Sequence, residues 1–91
     1  MRIRWVQPKA PYDFHKITKR LKGVRHELYR LDGNRLSRTL RIGESIVLVQ
    51  TESVGTVEEP VLKMAVSGAE DDRVAIEAVR RMERILSTGL E

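Results

Sequence analysis

The sequence predicts an α+β fold, in which one antiparallel sheet carries two helices on one of its faces. The chain has 91 residues, of which 41% are hydrophobic, and this is enough for a single domain with one core. Five short segments are predicted as strands, most of them from alternating or β-branched residues between turn signals. Two further segments have apolar residues at helical spacing. The predicted order is therefore β-α-β-β-β-β-α, within one domain that spans residues 1–91.

The first strand is predicted over residues 2–7 and the first helix over residues 14–22. Pro8 ends the strand, because proline cannot donate to a ladder. Asp13 is placed to cap the helix, since its carboxylate accepts hydrogen bonds from the free N–H groups of the first turn. Gly23 is expected to end the helix. The apolar stripe of this helix consists of Phe14, Ile17 and Leu21.

Three strands follow, and tight turns join them. They are predicted over residues 26–32, 35–42 and 45–52. Gly33 and Gly43 fall between them, where two-residue hairpins need left-handed backbone. The last of the three strands is apolar on both sides, which is typical of a central strand.

The fifth strand is predicted over residues 61–67, and the second helix begins at the acidic residues 70–72. Negative charge is favourable there because of the positive end of the helix dipole. Gly89 is expected to end this helix. Its apolar stripe consists of Ala75, Ala78, Val79, Met82, Ile85 and Leu86.

Two helices with one apolar face each can cover only one side of the sheet. The helix-facing side is predicted to carry Leu36, Leu40, Ile46, Leu48, Leu62, Met64 and Val66. The opposite side is predicted to carry Val47, Val49, Val61 and Ala65, beside Arg35, Ser37, Thr39 and Arg41. So many aliphatic residues on an uncovered side indicate a docking surface. Alternatively, loops or the first strand cover it, and the sequence leaves both readings open.

The net charge of +4 conceals an uneven distribution. Residues 1–42 contain 12 Lys and Arg against 3 Asp and Glu, whereas residues 43–91 contain 5 against 10. A basic half favours the binding of a polyanion such as nucleic acid. A solvated surface whose basic and acidic halves attract each other explains the uneven charge equally well. The candidate nucleic-acid-binding residues are Lys19, Arg20, Arg35, Arg38 and Arg41.

The aromatic residues limit the kind of nucleic-acid contact. Trp5 and Phe14 fall on apolar faces and are expected in the core, whereas Tyr12 and Tyr29 could be exposed. Proteins that bind single strands usually offer several exposed aromatic side chains for base stacking. Any contact is therefore expected to involve phosphates and to lack sequence preference.

No catalytic residue is predicted in this chain. There is no cysteine, and His15 and His26 are too far apart for one helical face, so we expect no metal site and no cofactor. The scattered glycines form no phosphate-binding loop. The chain starts without a secretory signal and contains no run of apolar residues long enough to cross a membrane, so a cytoplasmic protein is expected.

Four short motifs follow one another along the chain. The first helix opens with Pro11-Tyr12-Asp13-Phe14. Residues 38–43 read Arg-Thr-Leu-Arg-Ile-Gly and precede the aliphatic residues 46–49. Residues 61–68 contain the last predicted strand and the glycine after it, and the closing helix carries Ala75, Val79, Arg80 and Ile85. In this order the motifs resemble the N-terminal domain of the DNA-3-methyladenine glycosylase II and 8-oxoguanine DNA glycosylase family, over nearly the whole chain.

The resemblance implies a TATA-binding-protein-like fold of order β-α-β4-α and a role in base excision repair of alkylated or oxidised bases. In that family the hydrolysis of the N-glycosyl bond belongs to a following helix-hairpin-helix domain, which supplies a catalytic Asp and the base pocket. No such segment lies within residues 1–91, so no catalytic residue is carried over. The chain is then either part of a longer glycosylase or a stand-alone relative.

The leading hypothesis is a non-catalytic domain that packs on the catalytic domain and adds DNA phosphate contacts. Two alternatives remain open. A stand-alone basic module would bind nucleic acid with a steep salt dependence. A structural protein would pair through its aliphatic sheet face and form oligomers, which light scattering would detect.

Overall fold

The computed structural model describes residues 1–25 and 27–88, and within them it contains a five-stranded antiparallel sheet and two α-helices. The strands are β1 (Arg2–Val6), β2 (Tyr29–Asp32), β3 (Arg35–Ile42), β4 (Ser45–Ser53) and β5 (Leu62–Ser67), and the helices are α1 (Phe14–Val24) and α2 (Asp72–Thr88). The spatial order of the strands is β1-β5-β4-β3-β2. The predicted α+β class and the order of the elements are confirmed.

Two-residue turns join β2 to β3 and β3 to β4. Gly33 and Gly43 occupy the first position of each turn with φ of +62° and +63°, as predicted. This conformation suits a tight hairpin and is strained for any residue with a Cβ. The second turn sets the register of β3 against β4, in which Leu40 lies opposite Val47.

This register corrects the predicted faces of β4. Residues directly opposite each other point to the same side of a sheet, so Val47 joins Leu40 on the helix-facing side. Val47 and Val49 are buried at 1% and 0% exposure, whereas Ile46 is 68% exposed. The prediction that Ile46 and Leu48 face the helices, with the valines opposite, was therefore wrong. A strand that is apolar on both sides carries no period from which a side can be chosen.

The core lies between the sheet and the two helices. Tyr12, which precedes α1, also joins α2, since its hydroxyl donates a 2.9 Å hydrogen bond to the carbonyl of Leu86. The helices bury Phe14, Thr18, Leu21, Ala75, Ala78, Val79, Met82 and Leu86. The sheet buries Tyr29, Leu36, Leu40, Val47, Val49, Thr51, Leu62, Met64 and Val66. Of the seven residues predicted to face the helices, five are confirmed: Leu36, Leu40, Leu62, Met64 and Val66.

The N-terminal cap of α1 is confirmed and its predicted end is wrong. The carboxylate of Asp13 accepts a 3.1 Å hydrogen bond from the backbone N–H of Lys16. Gly23 lies inside the helix, which continues through Val24, and the N–H of Arg25 then donates to a carbonyl within the helix. Gly23 does not have the positive φ that lets a glycine end a helix.

Two sequence predictions fall outside the described residues. They are the start of the second strand at His26 and the end of the second helix at Gly89. Within the described part of the chain, neither helix is long and apolar enough to cross a membrane.

Candidate functional site

The side of the sheet that faces away from both helices is its uncovered side, and we call it the open sheet face. The strand register assigns to it Ile3, Trp5, Arg30, Asp32, Arg35, Ser37, Thr39, Arg41, Ile46, Leu48, Gln50, Glu52, Lys63, Ala65 and Ser67. Trp5 is 62% exposed, Ile46 68% and Ile3 46%. The first strand extends the edge of the sheet beside β5 and does not lie across this face.

Trp5 was expected in the core, and the structure corrects this. It lies on the open sheet face opposite Lys63, whose ammonium is 5.8 Å from the centre of the indole ring. The helix-facing side of β1 holds Arg2 instead, which bonds the carbonyl of Ala69 at 2.8 Å and the carboxylate of Asp72 at 2.9 Å. At an edge strand an arginine can reach such partners, so alternation alone does not reveal which side is inside.

Four charged residues form a row across the open sheet face. Lys63 lies opposite Glu52, Glu52 opposite Arg35, and Arg35 opposite Asp32. The Arg35 guanidinium is 3.8 Å from the Glu52 carboxylate. Opposite charges that face each other across a sheet attract, so this row is electrically balanced within itself. The row therefore adds little net positive potential to the face.

A shallow depression of about 230 Å³ lies on the same face. Its walls are formed by Met1, Ile3, Arg35, Gln50, Glu52, Lys63 and Ala65. It is open to solvent, and within the described residues no group of His, Cys, Asp and Glu is placed to hold a metal ion. The depression offers shape and the polar side chains of Arg35, Gln50, Glu52 and Lys63 to a partner.

The five predicted nucleic-acid-binding residues do not come together. Arg35 and Arg41 lie on the open sheet face. Arg38 points to the helix-facing side, where its guanidinium lies 5.4 Å from the ring centre of Tyr29. Lys19 and Arg20 are exposed on α1, behind the sheet. The number of these cations can be read from the sequence. Their separation depends on the register of the strands and on how α1 packs on the sheet, which the sequence does not show.

Tyr12 and Tyr29, which the sequence left open to exposure, are both buried, at 9% and 3% exposure. Burial raises the pKa of Tyr12 to about 12. Burial also raises the pKa of Tyr29, against a smaller opposite effect from Arg38. Among the described aromatic side chains, Trp5 is thus the one exposed for contact with a partner.

Comparisons with family models, with curated proteins and with solved structures gave no match to this chain.

Proposed function

We propose that this chain is the non-catalytic N-terminal domain of a DNA glycosylase of the 3-methyladenine type, acting in base excision repair. It docks through the open sheet face on a catalytic helix-hairpin-helix domain. The observation that carries the proposal is this exposed apolar face, which bears Trp5, Ile3 and Ile46. The finer fold that we propose is TATA-binding-protein-like.

Three of the motif residues behind the resemblance support the proposal, because they have defined roles in the fold. Asp13 caps α1 and Tyr12 bonds α2 through the Leu86 carbonyl. Gly43 supplies the left-handed backbone of the β3–β4 turn. The element order β-α-β4-α is also the order that the resemblance implies. A shared set of fold-determining residues in the same order supports a shared domain.

The composition of the open sheet face supports a protein as its partner. Trp, Met and Arg are enriched at protein interfaces, and buried aromatic side chains contribute most of the binding energy there. Trp5, Met1 and Arg35 are of these types. The charge row pairs two cations with two carboxylates and so adds little attraction for a polyanion, and the cations of this face outside the row are Arg30 and Arg41. A partner surface that covers Trp5 would meet Lys63 and the depression beside it.

The coding sequence that follows residue 91 provides the first test. We expect it to encode a helix-hairpin-helix segment, then a Gly/Pro-rich stretch and an Asp. A stop codon at that point contradicts the proposal.

Substitutions in the protein encoded by the complete reading frame provide the second test. Trp5→Ser and Ile46→Ser are expected to lower its Tm, because they remove apolar area from a docked interface. Ile76→Ser is the matched control, since Ile76 is 43% exposed on α2 and lies off the open sheet face. An equal effect of all three substitutions contradicts docking through this face.

A further inference from the structure

We infer that the exposed side of α1 binds the phosphate backbone of double-stranded nucleic acid, through Lys16, Lys19 and Arg20. This binding site lies on the opposite side of the molecule from the open sheet face. The inference rests on the charge and packing of the chain itself, and it does not require a catalytic partner.

The three cations form one stripe along α1. The helix buries Phe14, Thr18 and Leu21, which fixes its orientation on the sheet. At about 100° per residue, positions 16, 19 and 20 fall within a sector about 100° wide that is centred opposite this buried side. All three side chains are exposed. They therefore project into solvent together.

The stripe is not neutralised by neighbouring carboxylates. The sequence of α1 contains no acidic residue. The carboxylate of Asp13, just before the helix, accepts from the backbone N–H of Lys16, and none of the ion pairs found among the described residues involves it. Among the described residues, none of the ion pairs found involves Lys16, Lys19 or Arg20. This distinguishes the stripe from the row on the open sheet face, where Arg35 is 3.8 Å from Glu52. Unpaired cations at helical spacing are suited to neutralise successive phosphates.

A membrane surface is a poor fit to this stripe. An interfacial helix must insert an apolar side into the lipid. The apolar side of α1 is already buried in the core, with Phe14 at 4% exposure and Leu21 at 1%. Val24 is the one strongly exposed apolar residue of the helix, at 64%, and it lies at the helix end. A single valine does not anchor a helix in a bilayer.

Acidic proteins and single strands fit less well than a duplex. A protein partner needs apolar anchors among the charges, and the stripe has none between Lys16 and Arg20. A single strand needs aromatic platforms for its bases, yet the nearby Tyr12 and Tyr29 are buried. A duplex backbone needs only regularly placed cations, and binds without sequence preference.

Fluorescence anisotropy with a short labelled duplex tests the inference. We expect weak binding at about 50 mM salt that falls roughly 40-fold by about 200 mM, as three phosphate contacts predict. The variant Lys16→Gln/Lys19→Gln/Arg20→Gln is expected to lose more than about tenfold in affinity and most of the salt dependence. All three positions are exposed, so circular dichroism is expected to show an unchanged fold.

The control is Arg73→Gln/Arg80→Gln/Arg84→Gln on α2, which also removes three positive charges from exposed helix positions. It differs from the α1 stripe in that Arg80 is 3.4 Å from the carboxylate of Glu77. It is expected to keep most of the affinity. Equal losses in the two variants overturn the inference, since net charge alone would then account for binding. Absence of binding at low salt also overturns it and leaves the proposed function intact, because docking uses the other face.

Two further measurements separate the alternative ligands. Phosphatidylserine vesicles that bind as tightly as the duplex, with loss in the α1 variant, would assign the stripe to membranes and overturn the inference. A single-stranded oligonucleotide that binds more tightly and quenches the fluorescence of Trp5 would place nucleic acid on the open sheet face, and this also overturns it. Trp5 is the sole tryptophan of the sequence, so the signal is unambiguous.

Discussion

Two fully buried threonines differ in whether their hydroxyl group has a partner. Thr18 donates a 2.8 Å hydrogen bond to the carbonyl of Phe14. Thr51 lies on the helix-facing side of β4, and its Oγ1 has no hydrogen-bond partner among the described residues. A buried polar group without a partner retains its full desolvation cost. Thr51 is therefore a weak point in an otherwise apolar part of the core.

Replacement of this hydroxyl by a methyl group should stabilise the protein. We expect Thr51→Val to raise the free energy of unfolding by about 1 kcal/mol in urea titrations. Thr18→Val is the control, and it should give no such gain because it removes a satisfied hydrogen bond. A Thr51→Val variant that is less stable than the wild type would show that the hydroxyl is bonded after all.

Tyr12 gives the protein a dependence on alkaline pH. Its pKa is raised from 10.0 to about 12 by burial, so folding favours the neutral phenol. The contribution of the neutral Tyr12 phenol to the free energy of unfolding is fully present below pH 10. It is lost as the pH rises from 10 toward 12, because Tyr12 ionises at a lower pH in the unfolded chain than in the folded one. Tyr29 contributes in the same direction.

The variant Tyr12→Phe separates the contribution of Tyr12 to this pH dependence from that of Tyr29. It should lower the free energy of unfolding near pH 8 by about 1 kcal/mol, since the hydrogen bond to Leu86 is lost. Its stability should also fall less steeply above pH 10 than that of the wild type. Denaturant titrations across this range measure both effects. An unchanged alkaline slope would mean that Tyr12 does not carry the pH dependence.

The ends of the elements show what a local sequence signal can and cannot predict. The turns at Gly33 and Gly43 were predictable, because short hairpins between strands need positive φ. The same residue type at position 23 suggested a helix end, yet α1 continues through it. A glycine favours the end of a helix because it can adopt left-handed backbone, and Gly23 does not adopt it.

Opposite effects of alanine are expected at these two kinds of glycine. Gly23→Ala should raise the free energy of unfolding by about 0.5–1 kcal/mol, since the position is helical and its added Cβ meets no atom within 4 Å. Gly43→Ala should lower it by about 1–3 kcal/mol, because φ is +63° there. Thermal unfolding of both variants checks this. A stabilising effect at Gly43 would contradict the turn geometry.

The candidate site was less predictable than the fold, for reasons at the scale of the strands. β4 is apolar on both sides, so only its register against β3 decides that Val47 is inside and Ile46 outside. β1 is an edge strand, where Arg2 can bond the start of α2 while Trp5 faces solvent. In both strands the inward-facing side is decided by contacts with residues distant in sequence. The sequence of one strand alone therefore does not predict it.

At the scale of the whole molecule, the fold divides the basic half between two surfaces. Residues 1–42 carry 12 Lys and Arg, which suggested one polyanion-binding region. The sheet instead separates Arg35 and Arg41 from Lys19 and Arg20, and Arg38 packs on Tyr29. One surface carries exposed apolar side chains and a row of facing opposite charges, with Arg30 and Arg41 beside it. The other surface is a stripe of cations that take part in none of the ion pairs found among the described residues. This separation is why we assign protein docking to one side and phosphate binding to the other.

We propose that this chain is the accessory domain of a DNA glycosylase, and the release of damaged bases tests this proposal. The most direct test is to measure release of alkylated bases from methylated duplex DNA, by the protein encoded by the complete reading frame and by residues 1–91 alone. We predict release of 3-methyladenine by the former and none by the latter. Release of a base by residues 1–91 alone, or none by the complete protein from either methylated or oxidised DNA, would contradict the claim.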